Sequence, residues 1–127
     1  MKILITGVTG FVGKVLAQSL ASQAEYSVIG LSRSDADLPI ECLNIGDLTP
    51  RTNYNNLLQG VDVVIHLAAR VHQMHETSKN PLSEFRYVNC ATTLNLAKQS
   101  SSAGVKRFIF LSSIKVSGEF THPNKPF

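Results

Sequence analysis

Apolar and polar positions along this 127-residue chain switch between two periods, and the switches mark out its elements. Short runs rich in Val, Ile and Leu, at 2–6, 27–31, 40–45, 61–67 and 107–111, read as strands. Those at 61–67 and 108–111 are almost unbroken apolar, the pattern of strands covered on both faces. Between the strands the period lengthens to that of a helix. Over 11–24, Val12, Val15, Leu16 and Leu20 fall on one stripe, while Lys14, Gln18 and Gln23 fall elsewhere. Thr49 before Pro50 has the form of an N-cap with proline at the first helical position, which predicts a short helix ending near Gly60. Asn80-Pro81 repeats the device and predicts a longer helix to about Ala103, with Gly104 as the left-handed residue beyond its end. Strands alternating with helices are the signature of βαβ units. The expected fold is α/β, a doubly wound parallel sheet of five strands between two helical layers.

Composition narrows the picture. A chain of this length with 43% hydrophobic residues has enough apolar surface for one domain over 1–127 with a substantial core. The formal charge is only +3 and the basic residues are scattered from Lys2 to Lys125, without the basic stripe that a nucleic acid requires. A pI near 9.0 fits either a modest preference for anionic ligands or a plain solvated surface of mixed charge. Cys42 and Cys90 lie outside any C-x-x-C spacing and read as buried free thiols. The apolar start at 1–5 is too short for a signal peptide, and nothing approaches a membrane span, so the expected location is the cytoplasm. No metal is expected. His66 lies inside an apolar strand, and His72, His75 and His122 lack carboxylate or cysteine partners at ligand spacing. The segments 71–78 and 121–127 read as loops.

The candidate chemistry begins at Gly7, Gly10 and Gly13, between the first strand and the first helix. A strand that turns sharply into a helix leaves the first helical N–H groups unpaired at the positive end of the dipole, where an anion is favoured. Gly7 allows the tight turn, Gly10 lets a phosphate approach the main chain, and Gly13 lets the helix sit close to the strand. The second strand ends in Leu31-Ser32-Arg33-Ser34, with no acid where an NAD-binding site usually offers one to the adenosine ribose. Arg33 offers a fork suited to a 2′-phosphate, and Ser32 and Ser34 can add hydroxyl donors, which favours NADP over NAD. Asp35 and Asp37 follow closely enough to serve NAD, and Arg33 also reads as an ordinary solvated loop residue. After the third strand, Asp47 can accept from an adenine amino group with Leu48 covering the ring, or Asp47 can form an Asx-turn before a helix. Ser112 and Ser113 end the fifth strand, either as ligand contacts at the carboxyl edge of the sheet or as polar caps of the strand end. No G-x-S-x-G elbow accompanies them.

Thr6-Gly-Val-Thr-Gly-Phe-Val-Gly13, Gly46-Asp-Leu48, His66-Leu-Ala-Ala69, Tyr87-Val-Asn89 and Phe108-Ile-Phe-Leu-Ser-Ser113, in this order, resemble the extended short-chain dehydrogenase/reductase superfamily, in its nucleotide-sugar epimerase and dehydratase branch. Ala68 to His72 and Leu111 to Glu119 are further similar to UDP-glucose 4-epimerase-like bacterial members, some of which act as 4-keto reductases. The resemblance covers essentially the whole chain. It implies a Rossmann-type sheet of strand order 3-2-1-4-5 and an NAD(P) cofactor held by Gly7, Thr9, Gly10, Phe11, Val12 and Gly13 at the pyrophosphate. It further implies Arg33, Asp47 and Leu48 at the adenosine end, Leu67, Ala68 and Ala69 beneath the nicotinamide-side ribose, and Asn89 on the long helix beside the active site. Ser113 matches the family's catalytic serine, and Ser112, Ser113 and Lys115 would lie at a nucleotide-sugar substrate, such as a UDP-sugar. A homodimer is the implied assembly.

One departure stands against these matches. The family's reaction uses a Tyr-x-x-x-Lys pair, the tyrosine as acid/base and the lysine lowering its pKa. Here the residues four beyond Tyr26, Tyr54 and Tyr87 are Gly30, Leu58 and Ala91. The expectation is therefore a truncated chain, lacking the catalytic helix and a C-terminal substrate lobe and inactive by itself. The alternative is a non-catalytic, NADP-binding regulatory module of the same fold.

Overall fold

The computed structural model describes residues 1–70, 80–118, 120 and 124. Five strands, β1 (Lys2–Thr6), β2 (Ser27–Ser32), β3 (Glu41–Asn44), β4 (Val63–His66) and β5 (Arg107–Phe110), form one wholly parallel sheet in the order β3-β2-β1-β4-β5. This is the expected topology. Helix α1 (Phe11–Ala21) covers one face and α3 (Thr92–Ser102) the other. Strand alternation separates the two cores: Ile3, Ile5, Val63 and Ile65 pack with Ala17 of α1, while Leu4 and Val64 pack with Leu96 of α3, Tyr54 and Leu58.

The predicted long helix is present as α2 (Pro81–Arg86), a π-helical segment (Tyr87–Ala91) and α3. Asn80 caps it, its side chain accepting from the Ser83 N–H at 3.2 Å. At the other end Gly104, at φ +79°, donates its N–H to Ser101 O, and Val105 N–H reaches Ser100 O at 3.0 Å. This pair of bonds is a Schellman closure. In the middle, the Thr92 hydroxyl donates to Tyr87 O and the Thr93 hydroxyl to Asn89 O, both at 3.1 Å, drawing on the carbonyls around the widened turn.

Four expectations are corrected. No helix follows Thr49-Pro50: Arg51 N–H donates to Thr49 Oγ1, Thr49 N–H to Thr52 Oγ1, and only separate turns close, from Thr52 N–H to Thr49 O, Leu58 N–H to Tyr54 O and Val61 N–H to Leu58 O. The groups that a helix would need are used elsewhere. Asn95 and Gln99 of α3 both donate to Thr52 O at 2.8 Å, and Gln99 Oε1 accepts from Tyr54 N–H at 2.8 Å. On α1 the buried positions are Gly13 and Ala17, with Leu16 and Leu20 beside them, whereas Val12 and Val15 face outward. The helix packs through its smallest residues, which rotates the stripe. Strand β5 is an edge, with Ile109 and Phe110 exposed rather than covered on both faces. Cys42 and Cys90 are free thiols, but Cys42 is half-buried and Cys90 exposed. His72, His75 and His122, the loop 71–78 and all of the tail except Asn124 lie outside the described residues.

Candidate functional site

The turn from β1 into α1 is shaped by what its glycines lack. Gly7 has φ +71°, and a Cβ there would lie 2.7 Å from Ala68 N. Gly10 N–H donates to Gly7 O at 3.0 Å and closes the turn. Gly10 is also the N-cap of α1, so no side chain caps the helix, and its first turn carries no acidic residue. The amino end of an eleven-residue helix is thereby left open to an anion.

A cavity of about 570 Å³ lies beside this turn, lined from the carboxyl ends of the strands. Gly7, Thr9 and Gly10 follow β1, Leu31, Ser32 and Arg33 close β2, Gly46 to Thr49 follow β3, and His66 to Arg70 follow β4. Glu84, Tyr87, Val88 and Thr92 complete the wall from the helical side. Strand order reverses between β2-β1 and β4, so the cavity occupies the switch point where open parallel sheets hold ligands. Its volume is that of a cofactor or drug-sized ligand.

Nine of the residues singled out in the sequence meet here: Gly7, Thr9, Gly10, Arg33, Asp47, Leu48, Leu67, Ala68 and Ala69. Gly13 is buried behind the turn, and the side chains of Phe11 and Val12 point away from the core. Asn89 acts one step back, its Oδ1 accepting from Arg70 N–H at 2.6 Å and its Nδ2 donating to Arg70 O at 2.8 Å. Ser112, Ser113 and Lys115 lie beyond β5, exposed and outside the cavity lining. Ser113 Oγ accepts from Lys115 N–H at 3.2 Å and caps the 3-10 turn Ile114–Ser117, which leaves its own proton to donate.

At the adenosine-side edge, Arg33 Nη1 and Asp47 Oδ1 are 3.8 Å apart with both side chains more than four-fifths exposed. Such a pair is weak and exchangeable. The Ser32 hydroxyl is not a spare donor, because it is buried and gives its proton to Ser34 O at 2.6 Å. The Asx-turn after β3 belongs to Asn44, whose Oδ1 accepts from Gly46 N–H, and not to Asp47. Asn44 Nδ2 also donates to Asp35 Oδ1 at 3.1 Å.

His66 sits deeper, at 1% exposure, and burial pushes its imidazole below the usual histidine range. Its Nδ1 lies 2.6 Å from Thr6 Oγ1 and its Nε2 2.8 Å from Thr93 Oγ1. In the sequence Thr6 only heads the glycine motif and Thr93 carries no signal, because a hydroxyl inside an apolar strand or on a helix gives no sign of its partner. Among the described residues no three His, Cys, Asp or Glu side chains gather around a metal-sized space, and no helix is long and apolar enough to cross a membrane.

A sequence profile described as the NAD dependent epimerase/dehydratase family matches residues 3–127. The chain belongs to this family. Within the epimerase/dehydratase family it is similar to a UDP-glucose 4-epimerase of Vibrio cholerae, at 45% identity over 126 residues, covering 98% of this chain and 38% of that protein. It is also similar to the N-acetyl-alpha-D-glucosaminyl-diphospho-ditrans,octacis-undecaprenol 4-epimerase of Escherichia coli O157:H7, at 30% identity, again over 98% of this chain and 38% of the relative. Among solved structures it resembles the UDP-glucuronic acid 4-epimerase of Bacillus cereus in complex with UDP-glucuronic acid and NAD, with a TM-score of 0.80 and 27% identity, over 96% of this chain and 43% of that one. The chain therefore spans well under half the length of these family members.

Proposed function

We propose that residues 1–127 are the cofactor-binding part of a nucleotide-sugar 4-epimerase, UDP-glucose 4-epimerase-like, or of a 4-keto reductase, with NAD(P) in the cavity at the switch point. The observation that carries this reading is the open amino end of α1, uncapped at Gly10 and cleared of side chains at Gly7. The amides of the turn through Gly13 receive the diphosphate, Thr9 and the main chain at Phe11 and Val12 flank it, and Asp47 and Leu48 hold the adenine. Leu67, Ala68 and Ala69 form the floor beneath the nicotinamide-side ribose, at the level that Asn89 fixes through Arg70. A Cβ on Gly7 would fill the space between the turn and Ala68, so the residues present fit a diphosphate that needs bare main chain. When bound, the nicotinamide supplies hydride transfer at C4 of the sugar.

Arg33 is the residue we assign to cofactor choice. No acid stands at the end of β2, and the loose Arg33–Asp47 pair can open to a 2′-phosphate, which favours NADP over NAD. Ser113, with its proton free, is the group proposed to donate to the reacting sugar oxygen, and Ser112 and Lys115 lie alongside for the substrate. The partner of the complete protein would be a nucleotide sugar, probed with a UDP-sugar. Free thiols at Cys42 and Cys90 suit a reducing, cytoplasmic setting.

Calorimetric titration of the 127-residue chain with NADPH and NADH tests the reading. Saturable binding of both, tighter for NADPH and lost in Gly7→Val, is the expected result. Heats equal to dilution for both nucleotides would overturn it.

A further inference from the structure

We infer that His66 is a positioning residue, held as the neutral tautomer protonated on Nε2, and that it wires the glycine turn to the floor of the cavity and to the π-helical segment through one directional chain of hydrogen bonds. The inference goes beyond the cofactor reading, and its second half rests on that reading.

The direction of every bond in the chain follows from counting protons. The Thr93 hydroxyl gives its one proton to Asn89 O at 3.1 Å, so toward His66 it can only accept. His66 Nε2 therefore carries the hydrogen across the 2.8 Å contact. In a neutral ring the other nitrogen is then an acceptor, and the Thr6 hydroxyl donates to Nδ1 across 2.6 Å. Thr6 Oγ1, its proton spent, accepts in turn from Ala68 N–H at 3.3 Å. The whole path runs Ala68 N–H, Thr6, His66, Thr93, Asn89 O, with each hydroxyl donating once and accepting once.

What the path joins gives it a consequence. Thr6 is the residue before Gly7 and the last of β1. Ala68 lines the cavity, and its N and Cα are among the main-chain atoms that a Cβ at Gly7 would collide with. Asn89, at the far end, grips Arg70 by both its main-chain groups. The segment Ala68 to Arg70 is thus held at its start by Thr6 and at its end by Asn89, and His66 is the link between those two holds. Phe108 and Phe110 of β5 pack near the imidazole, at ring centroid distances of 6.1 and 5.9 Å, and limit its rotation. Buried chains of this kind keep one geometry because a reversed bond leaves a polar group without a partner.

Two measurements on the 127-residue chain test this. In the ligand-free protein, proton–nitrogen correlation spectra of the imidazole should show hydrogen on Nε2 alone at neutral pH, and hydrogen exchange at Ala68 N–H should quicken on Thr93→Val but not on Thr93→Ser. Ala68 N–H bonds to Thr6, and Thr93 bonds to His66 and Asn89, so the two are coupled through His66 and Thr6. In titrations with NADPH, Thr6→Val and Thr93→Val should weaken binding by on the order of tenfold, with Thr6→Ser and Thr93→Ser restoring it. A ring protonated on Nδ1, or Ala68 exchange indifferent to Thr93→Val, overturns the wiring. Unchanged NADPH affinity in both valine variants, with Ala68 exchange altered, overturns the positioning role. If the unaltered chain binds no dinucleotide, the cofactor reading and the positioning role fall together, and the spectra and exchange rates still decide the wiring.

Discussion

The carbonyl oxygen of Gly7 faces the Cα of Gly13 so closely that a methyl group at 13 would press into it and stand 2.8 Å from Val8 Cα. Both obstacles are main chain and cannot rotate away. Gly13→Ala therefore has to push the start of α1 off β1, at about 1–3 kcal/mol, the usual cost of overpacking. Gly10→Ala differs, because Gly10 has φ −74° and its methyl would meet only Gly7 O, at 3.2 Å. Thermal melting should register Gly13→Ala strongly and Gly10→Ala weakly, while dinucleotide titration should register both. Equal melting temperatures for Gly13→Ala and the unaltered chain would contradict this packing.

His66 predicts a pH dependence with a definite sign. Its partners, Thr6 from β1, Thr93 from α3, and Phe108 and Phe110 from β5, carry no charge, and burial lowers its pKa below the ordinary 6.5. As pH falls through about 6.5 the unfolded chain takes up a proton on this ring before the folded one does. Stability contributed by the neutral ring is thus complete above the unfolded value and is lost as pH falls toward the folded one. Denaturant midpoints between pH 7.5 and 5 should decline, and His66→Asn should flatten that part of the decline.

Arg33 and Asp47, more than four-fifths exposed, contribute little to stability as a pair. Their substitution is accordingly a clean test of cofactor choice. Arg33→Ala should leave the melting temperature within error and reduce NADPH affinity by about tenfold relative to NADH, the scale of one charge-assisted contact. Unchanged affinity for both nucleotides would assign Arg33 to the solvated loop reading.

The sheet was legible because β1, β2 and β4 are rich in Val, Ile and Leu, β5 carries Phe and Ile, and turns bound the strands, and the long helix because Asn80, Pro81 and Gly104 mark its ends. The segment after Thr49 was not. Thr49-Pro50 is a sound start signal, but the decision lies with Asn95 and Gln99, more than forty residues away, which take Thr52 O and Tyr54 N–H. The π-helical turn escaped for a similar reason, since nothing in Tyr87-Val-Asn-Cys-Ala91 distinguishes a five-residue turn from a regular one. At the cavity, the glycines and strand ends could be read because backbone sterics restrict residue choice there. Thr6 and Thr93 could not, because their meaning depends on a histidine that only the folded chain brings between them.

Catalysis gives a sharper expectation. No tyrosine in the 127 residues has a lysine four positions on, and a general acid/base is worth about 10²- to 10⁴-fold in rate. The purified chain should bind nucleotide and show no epimerisation of UDP-glucose or reduction of a 4-keto UDP-sugar above background. Measurable turnover would mean that another group moves the proton.

Exposed apolar side chains lead to the last prediction. Leu82, Tyr87 and Leu94 stand out from α2, the π-helical segment and α3, each about half exposed, and Phe110, Leu111, Ile114 and Val116 lie open at the end of β5. Burying apolar area is favourable at roughly 25 cal/mol per Å², so large contiguous apolar patches seldom stay in water. The 127-residue chain should therefore self-associate, in keeping with the homodimer that the family resemblance implies. Sedimentation velocity should show a weight-average coefficient that rises with concentration. Leu94→Gln should lower that rise without changing the melting temperature at high dilution, because Leu94 is solvent-facing on α3 while Leu96 carries the core contact. A coefficient independent of concentration would mean that these side chains are too dispersed to act as one surface.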